Sequence, residues 1–249
     1  MSPPLFWADT VPEPGAELVL SGAEGRHAVT VTRLAVGERI FVGDGAGTVV
    51  GAQVSSIESK DTLVAAVREL TFRPRPQPLV TVVQALPKSE RSELAVDLAT
   101  EAGVDVIVPW QAARCVARWS GKADKGVAKW RAAAAAAAKQ SRRPWIPDVT
   151  DLATTTDVRE SCADTVAEGG IVAVLHEEAS RPLRALDLAQ VPSIVLVVGP
   201  EGGLDEGEVA DLTALGAHSV ILGPEVLRTS TAAAVALGAI GALTERWGR

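Results

Sequence analysis

Only two cysteines, Cys115 and Cys162, occur among the 249 residues. They lack both the spacing of a metal module and the density of a disulfide framework, so they read as structural thiols in a reducing cytoplasm, and no metal is expected. Long apolar runs are missing too. The longest, residues 232–243, falls short of the roughly 18–20 residues that span a bilayer, so no membrane partner is expected. The opening "MSPPLFWADTVPEPG" has no basic segment followed by an apolar one, and no secretory signal is read there. Phosphate-gripping motifs are likewise absent. No G-x-G-x-x-G joins a first strand to a first helix, and no G-x-x-x-x-G-K-[ST] occurs. Of the three histidines, none is placed like a general base. His176 reads as part of a solvated turn, His218 as structural, and His27 as a surface residue of an N-terminal barrel.

What the chain has is unevenly spread. Its net charge of −7 argues against a nucleic-acid partner only as an average. Between residues 114 and 143 lie nine lysines and arginines and a single acid, Asp124. A phosphate backbone responds to such local charge, whatever the total. Lys125, Lys129 and Trp130 in this stretch fit a solvated helix face with a tryptophan turned inward. Trp119, Trp130 and Trp145 are interspersed where bases could stack.

Residues 1–72 read as β-rich. "RIFVGDGAGTVVGAQV" gives a hairpin around a glycine-rich turn, "TLVAAVREL" gives a further strand, and a small barrel or sandwich is expected. "FRPRPQP", with three alternating prolines, reads as a linker, set at 73–78. From 79 to 249 the texture is α/β. Short Val- and Ile-rich runs at 79–86, 104–110, 170–176, 193–199 and 218–223 suit strands buried on both faces of a parallel sheet. Helices are expected at 90–102, 124–141, 205–215 and 231–247. The seven alanines 132–138 read as a packed helix. Asp205 and Glu208 form a capping box, with Leu204 and Val209 as its hydrophobic staple. Thr229, Ser230 and Thr231 are expected to cap the last helix, which is apolar all round and so buried on more than one side.

Two strand-to-loop turns carry the functional signal: "GPEGGLDEGEV" and "LGPEVLRTSTAA". Neither offers a lysine, and the first is acidic, so the ligand is not held by phosphates. Proline-stiffened backbone and bare glycine amides suit the edge of a heterocycle and a sugar. The bland alternative is a pair of tight connections, and the repetition of the motif weighs against it.

These turns resemble those of the bacterial methyltransferases that modify N3 of a uridine in 16S ribosomal RNA, members of the SPOUT class with its deep trefoil knot. The resemblance covers almost the whole chain. "RHAVTVTRLAVGERIFVGDG" is similar to the family's PUA-like RNA-binding barrel, with His27 and Arg33 at matching positions. "ALPKSERSELAVDLATEAGVDVIVPW" resembles the start of its catalytic domain, with Lys88, Glu101 and Gly103 in place. Arg114 and "KQSRRPWIP" match two further segments. The chain departs from the family at Leu98, often a lysine there, and at Lys139, often a glutamate. Both departures bear on RNA or subunit contacts.

The resemblance implies an N-terminal PUA-like β-barrel and a C-terminal SPOUT α/β domain with a trefoil knot. It implies S-adenosylmethionine held in a bent form by three loops. The first loop contributes Leu175, His176 and Glu177, and the second Gly199, Pro200, Glu201, Gly202 and Gly203. The third contributes Leu222, Gly223, Pro224, Leu227, Thr229 and Thr231. Arg228 is the catalytic candidate, stabilising a deprotonated uracil, against a bracing pair with Glu201 or Glu225. RNA contacts are expected from His27, Arg33, Lys88, Arg114, Arg142 and Arg143. The implied partners are 16S rRNA in the small ribosomal subunit and a second copy of the chain. Competing readings are a non-catalytic rRNA-binding assembly factor, a nucleotide-using α/β enzyme, and a SPOUT methyltransferase acting on another RNA position.

Overall fold

Within residues 39–72 buried and exposed positions alternate in the period of a half-buried strand. In the structure, a computed structural model that describes residues 3–88 and 91–248, they form a sheet. The chain divides into two units, residues 1–75 with 138–146 and residues 76–137 with 147–249. The first holds β1 (Leu5–Trp7), β2 (Glu17–Leu20), β3 (Arg39–Gly43), β4 (Thr48–Ser59) and β5 (Thr62–Phe72), in the order β1-β3-β4-β5-β2. β1 runs parallel to β3, and the other pairings are antiparallel. β3 and β4 are the expected hairpin and β5 the expected further strand. β1 and β2 were not foreseen, because three or four residues carry too little alternation to read. Between β2 and β3 a short helix, α1 (Gly22–Arg26), runs into a π turn at His27–Val31. Three register shifts between β4 and β5 bend this ribbon over a core that includes Phe6, Ile40, Val42 and Leu63.

The glycine-rich turn has a tertiary purpose. Asp44 Oδ1 accepts the N–H groups of Ala46 and Thr48 at 2.7 and 3.0 Å. Gly47 sits at φ +101°, and a Cβ there would lie 2.7 Å from the Trp145 ring. Its N–H donates to the Pro144 carbonyl at 3.0 Å, and Trp145 Nε1 donates to the Arg73 carbonyl at 2.7 Å. Residues 138–146 therefore join the first unit, whereas boundaries at 72 and 79 assign them to the second. Lys139, the departure noted above, lies 2.6 Å from Glu24 Oε1 and over the Phe6 ring.

In the second unit the five apolar runs become β6 (Leu79–Ala85), β7 (Val106–Trp110), β9 (Ile171–Leu175), β10 (Ser193–Val198) and β11 (His218–Val220), and a two-residue strand that no run foretold, β8 (Asp148–Val149), joins them. All are parallel, in the order β11-β9-β10-β6-β7-β8. Residues Ile194, Val195, Leu196, Val197 and Val198 are at most 3% exposed, which is why β10 reads as a continuous apolar run. The helices are α2 (Ser92–Glu101), α3 (Ala123–Gln140), α4 (Thr155–Ala167), α5 (Glu206–Ala214) and α6 (Thr229–Leu243). α2 and α6 pack together, and α6 also packs on β6 and β10. The start expected for α2 at Glu90 lies outside the described residues. α4 was not foreseen, although its Thr154–Asp157 capping box was a legible signal.

The last helix corrects two expectations. It ends at Leu243, and residues 245–247 form a separate 3₁₀ turn. Its N-cap is Arg228, without a side-chain cap bond. Thr229 and Ser230 are buried in its first turn, and the Thr231 hydroxyl donates to the Arg228 carbonyl at 3.1 Å. The turn beyond it is fastened by Arg246, whose Nη1 lies 2.8 Å from Asp105 Oδ2, with side chains only 4% and 1% exposed.

Candidate functional site

Parallel strands end on one edge of their sheet, and here three neighbours end level. Leu175 pairs with both Val198 and Val220, so the segments leaving β9, β10 and β11 emerge side by side. Ligand clefts of open α/β sheets form at this carboxyl edge. The three segments enclose a cleft of about 510 Å³. Leu175, His176 and Glu177, the Gly199–Gly203 turn, and residues 222–224 with Leu227, Arg228 and Thr229 all line it. Thr231 does not. Sequence reasoning missed Val198, Leu204, Val220, Ile221 and Ala232, which also line it. They carry no polar group, and only their position between motif residues could have marked them.

The turn after β10 is held stiffly. Gly203 has φ +72°, a conformation that favours glycine, and its N–H donates to the Pro200 carbonyl at 2.9 Å. The expected capping box is present. Asp205 Oδ1 accepts the Gly207 N–H at 3.0 Å, and Glu208 Oε2 accepts the Asp205 N–H at 3.1 Å. Leu204, the first half of the expected staple, is 4% exposed. Glu208 is buried as well, and its Oε1 accepts the Ala113 N–H at 2.9 Å. This second partner was not legible, since Ala113 lies far away in the chain.

The turn after β11 offers backbone donors. Among the described residues, the N–H groups of Leu222, Gly223 and Leu227 donate to no other protein group, so at a cleft wall they are available to a ligand or to water. Three carboxylates, Glu177, Glu201 and Glu225, line the cleft against one guanidinium, Arg228. Arg228 is exposed and forms no ion pair among the described residues, so the bracing pair with Glu201 or Glu225 is not made. Glu201 instead accepts the Lys88 N–H at 3.1 Å.

Other candidates are distributed between the units. In the second, Arg114 Nη2 lies 3.2 Å from Asp205 Oδ2, so Arg114 and Lys88 both adjoin the turn after β10. In the first, His27 packs edge-on against Phe6 at 5.5 Å between ring centroids. Arg33 and Arg142 are exposed at φ +59° and +57°, and Arg143 is half-buried. Trp130 is a core residue, 1% exposed, with Nε1 donating to Ser92 at 2.8 Å, and cannot stack on a base. Trp119 meets it edge-on at 5.2 Å, and Arg75 lies 4.5 Å over Trp145. His176 donates its backbone N–H to Val220, and its Nδ1 accepts the Glu178 N–H at 3.3 Å. His218 Nδ1 faces Arg181 at 3.3 Å. Burial pushes the Cys162 thiol up to about 11 and raises that of Cys115, so neither is an activated nucleophile. Among the described residues no His, Cys, Asp and Glu group could hold a metal, and no helix is long and apolar enough to cross a membrane.

Comparison with known proteins agrees in both units. A model of an RNA methyltransferase domain matches residues 73–241, and a model of an RNA methyltransferase PUA domain matches residues 20–67. The chain is 52% identical to ribosomal RNA small subunit methyltransferase E of Mycobacterium bovis, covering 98% of this chain and 93% of that protein. Identity to the Bacillus subtilis protein of the same name is 34%, covering 91% and 90%. A crystal structure of the Neisseria gonorrhoeae protein of that name, bound to S-adenosyl methionine, matches with a TM-score of 0.86 at 25% identity over 98% of each chain. A Legionella pneumophila methyltransferase in complex with the bound cofactor matches at 0.83 and 27% identity, covering 98% and 99%.

Proposed function

The chain belongs to the ribosomal RNA small subunit methyltransferase E family, and on that premise we propose that it methylates N3 of a specific uridine in 16S rRNA. It is an S-adenosylmethionine-dependent rRNA methyltransferase. The observation that carries the reading is the cleft formed where β9, β10 and β11 end level.

The cleft residues fit the cofactor. The amides of Leu222, Gly223 and Leu227 can donate to a heterocycle edge or a ribose. Three carboxylates against one arginine would repel a polyphosphate and favour a sulfonium. When bound, S-adenosylmethionine supplies an electrophilic methyl group on that sulfonium. The protein's task is then positioning and charge stabilisation. Uracil N3 is a poor nucleophile while it carries its imide proton, and a paired uridine hides it, so the base is taken unpaired or flipped. Arg228 faces the developing anion, whose charge spreads to the flanking carbonyl oxygens. His176 is engaged with the Glu178 amide and is not assigned as a base, so the proton leaves to solvent.

Lys88 and Arg114 beside the cleft, and His27, Arg33, Arg142 and Arg143 in the first unit, supply the rRNA contacts. The family resemblance supports a trefoil knot and a homodimer. α6 adds to the second, since Val235 and Leu243 are 47% and 44% exposed on a helix with eight buried residues. The reading puts the enzyme in the cytoplasm, and the free thiols of Cys115 and Cys162 support this.

The test combines calorimetry with S-adenosylmethionine and mass spectrometry of rRNA nucleosides from a deletion strain. Binding of the methyl donor, no competition by ATP or NAD, and loss of 3-methyluridine are expected. Absence of donor binding would favour the assembly factor, and loss of a different methylated nucleoside would overturn the N3 assignment.

A further inference from the structure

The first unit carries a pocket for which methyl transfer has no use. Strand register places Leu5, Phe41, Gly51 and Glu69 in one cross-strand row. Val49 and Thr71 pair two residues further along β4 and β5, hence on the same face. These six residues line a cavity of about 230 Å³, together with Pro144 and the exposed Arg73 and Arg142. The hollow exists because Gly51 interrupts the row: a Cβ there would lie 2.4 Å from Glu69 Oε1. The Glu69 carboxylate thus reaches across the glycine toward Phe41. Its Oε1 accepts from Arg39 Nη2 at 3.2 Å, and its Oε2 accepts nothing among the described residues.

We propose that this pocket holds one unpaired nucleotide of the rRNA substrate, other than the methylated uridine, and that Glu69 selects a base with an exocyclic amino group. The inference rests on the rRNA methyltransferase reading. The volume is below the roughly 300 Å³ at which drug-sized sites begin, which suits a single base ring. Leu5, Phe41 and Val49 give that ring an apolar and aromatic wall. A carboxylate only accepts hydrogen bonds, so it pairs with the amino edge of guanine, cytosine or adenine. It is repelled by the two carbonyls flanking the single N–H of uracil. Arg73 and Arg142 line the pocket with positive charge for the adjoining phosphates.

The full-length chain tests this by fluorescence anisotropy with four pentaribonucleotides, UUNUU, in which only N varies. The pentamers with N as G, C or A should bind about fivefold or more tightly than the one with U. Glu69→Gln should flatten that preference. Arg73→Ala combined with Arg142→Ala should weaken all four similarly and reduce the salt dependence. Equal binding of the four pentamers, or a preference that survives Glu69→Gln, overturns the proposal. Calorimetry with S-adenosylmethionine on the same samples separates the two failures. Intact donor binding without base preference removes this pocket alone, whereas absent donor binding removes the methyltransferase reading beneath it.

Discussion

Glu208 joins two distant backbones: its Oε1 accepts the Ala113 N–H at 2.9 Å while its Oε2 accepts the Asp205 N–H at 3.1 Å. One buried carboxylate thus closes the capping box of α5 and ties the segment carrying Arg114 to the turn after β10. The turn that lines the cleft is thus anchored by a residue outside it.

Glu208→Ala should therefore cost about 2–3 kcal/mol, combining a lost cap with an unpaired backbone donor. Glu208→Gln keeps an acceptor and should lose less. Urea unfolding midpoints measure both, and calorimetry should show weaker S-adenosylmethionine binding to the alanine variant. An alanine variant within about 0.5 kcal/mol of the parent would show that the two bonds add nothing.

Arg228 is exposed on the cleft wall and has no carboxylate partner among the described residues. Arg228→Ala should lower kcat about 100-fold or more and leave the donor's Kd within about threefold. The reverse pattern, weak binding with surviving turnover, would make Arg228 a cofactor-loop brace.

The Arg246–Asp105 pair is almost wholly out of water. Arg246→Ala would take the cationic partner from the buried Asp105 carboxylate and the donors from the Pro76, Pro78 and Gly103 carbonyls, and about 3–5 kcal/mol of stability should disappear. The exposed pair Arg131–Asp151, at a similar 3.1 Å, should cost less than about 1 kcal/mol when broken. Chemical denaturation of the two single variants compares them directly, and equal losses would contradict the role of burial.

Cys162 predicts a pH dependence. Burial raises its thiol from the ordinary 9.0 to about 11, so the folded chain holds this proton more tightly than the unfolded one. Below pH 9 the two states are alike in this proton. As pH rises from 9 to 11 the unfolded thiol ionises first, and about 2–3 kcal/mol of stability is lost. Cys162→Ala should show a shallower fall across that window in urea unfolding at stepped pH. Parallel curves for parent and variant would remove the effect.

Much of the site was legible because its signals are local. The capping box at Asp205 and Glu208 lies within four residues, and each Gly-Pro-Glu turn directly follows an apolar run. Trp130 was ambiguous, since composition places it in a basic stretch while its indole is buried and bonded to Ser92. The cap of α6 was misplaced by one residue or more, because three consecutive hydroxyl residues all read as caps and only backbone geometry chooses among them.

By itself the sequence determined the alternation of buried strands and helices, the two stiff turns, and the patch of positive charge. Each follows from periodicity or from the backbone preferences of proline and glycine within a few residues. Only the tertiary structure decided that Leu175, Val198 and Val220 stand level, that residues 138–146 join the first unit, and that Gly51 opens a hollow beside Glu69. Those outcomes depend on which strands become neighbours and in what register, and that is set by the packing of side chains far apart in the chain.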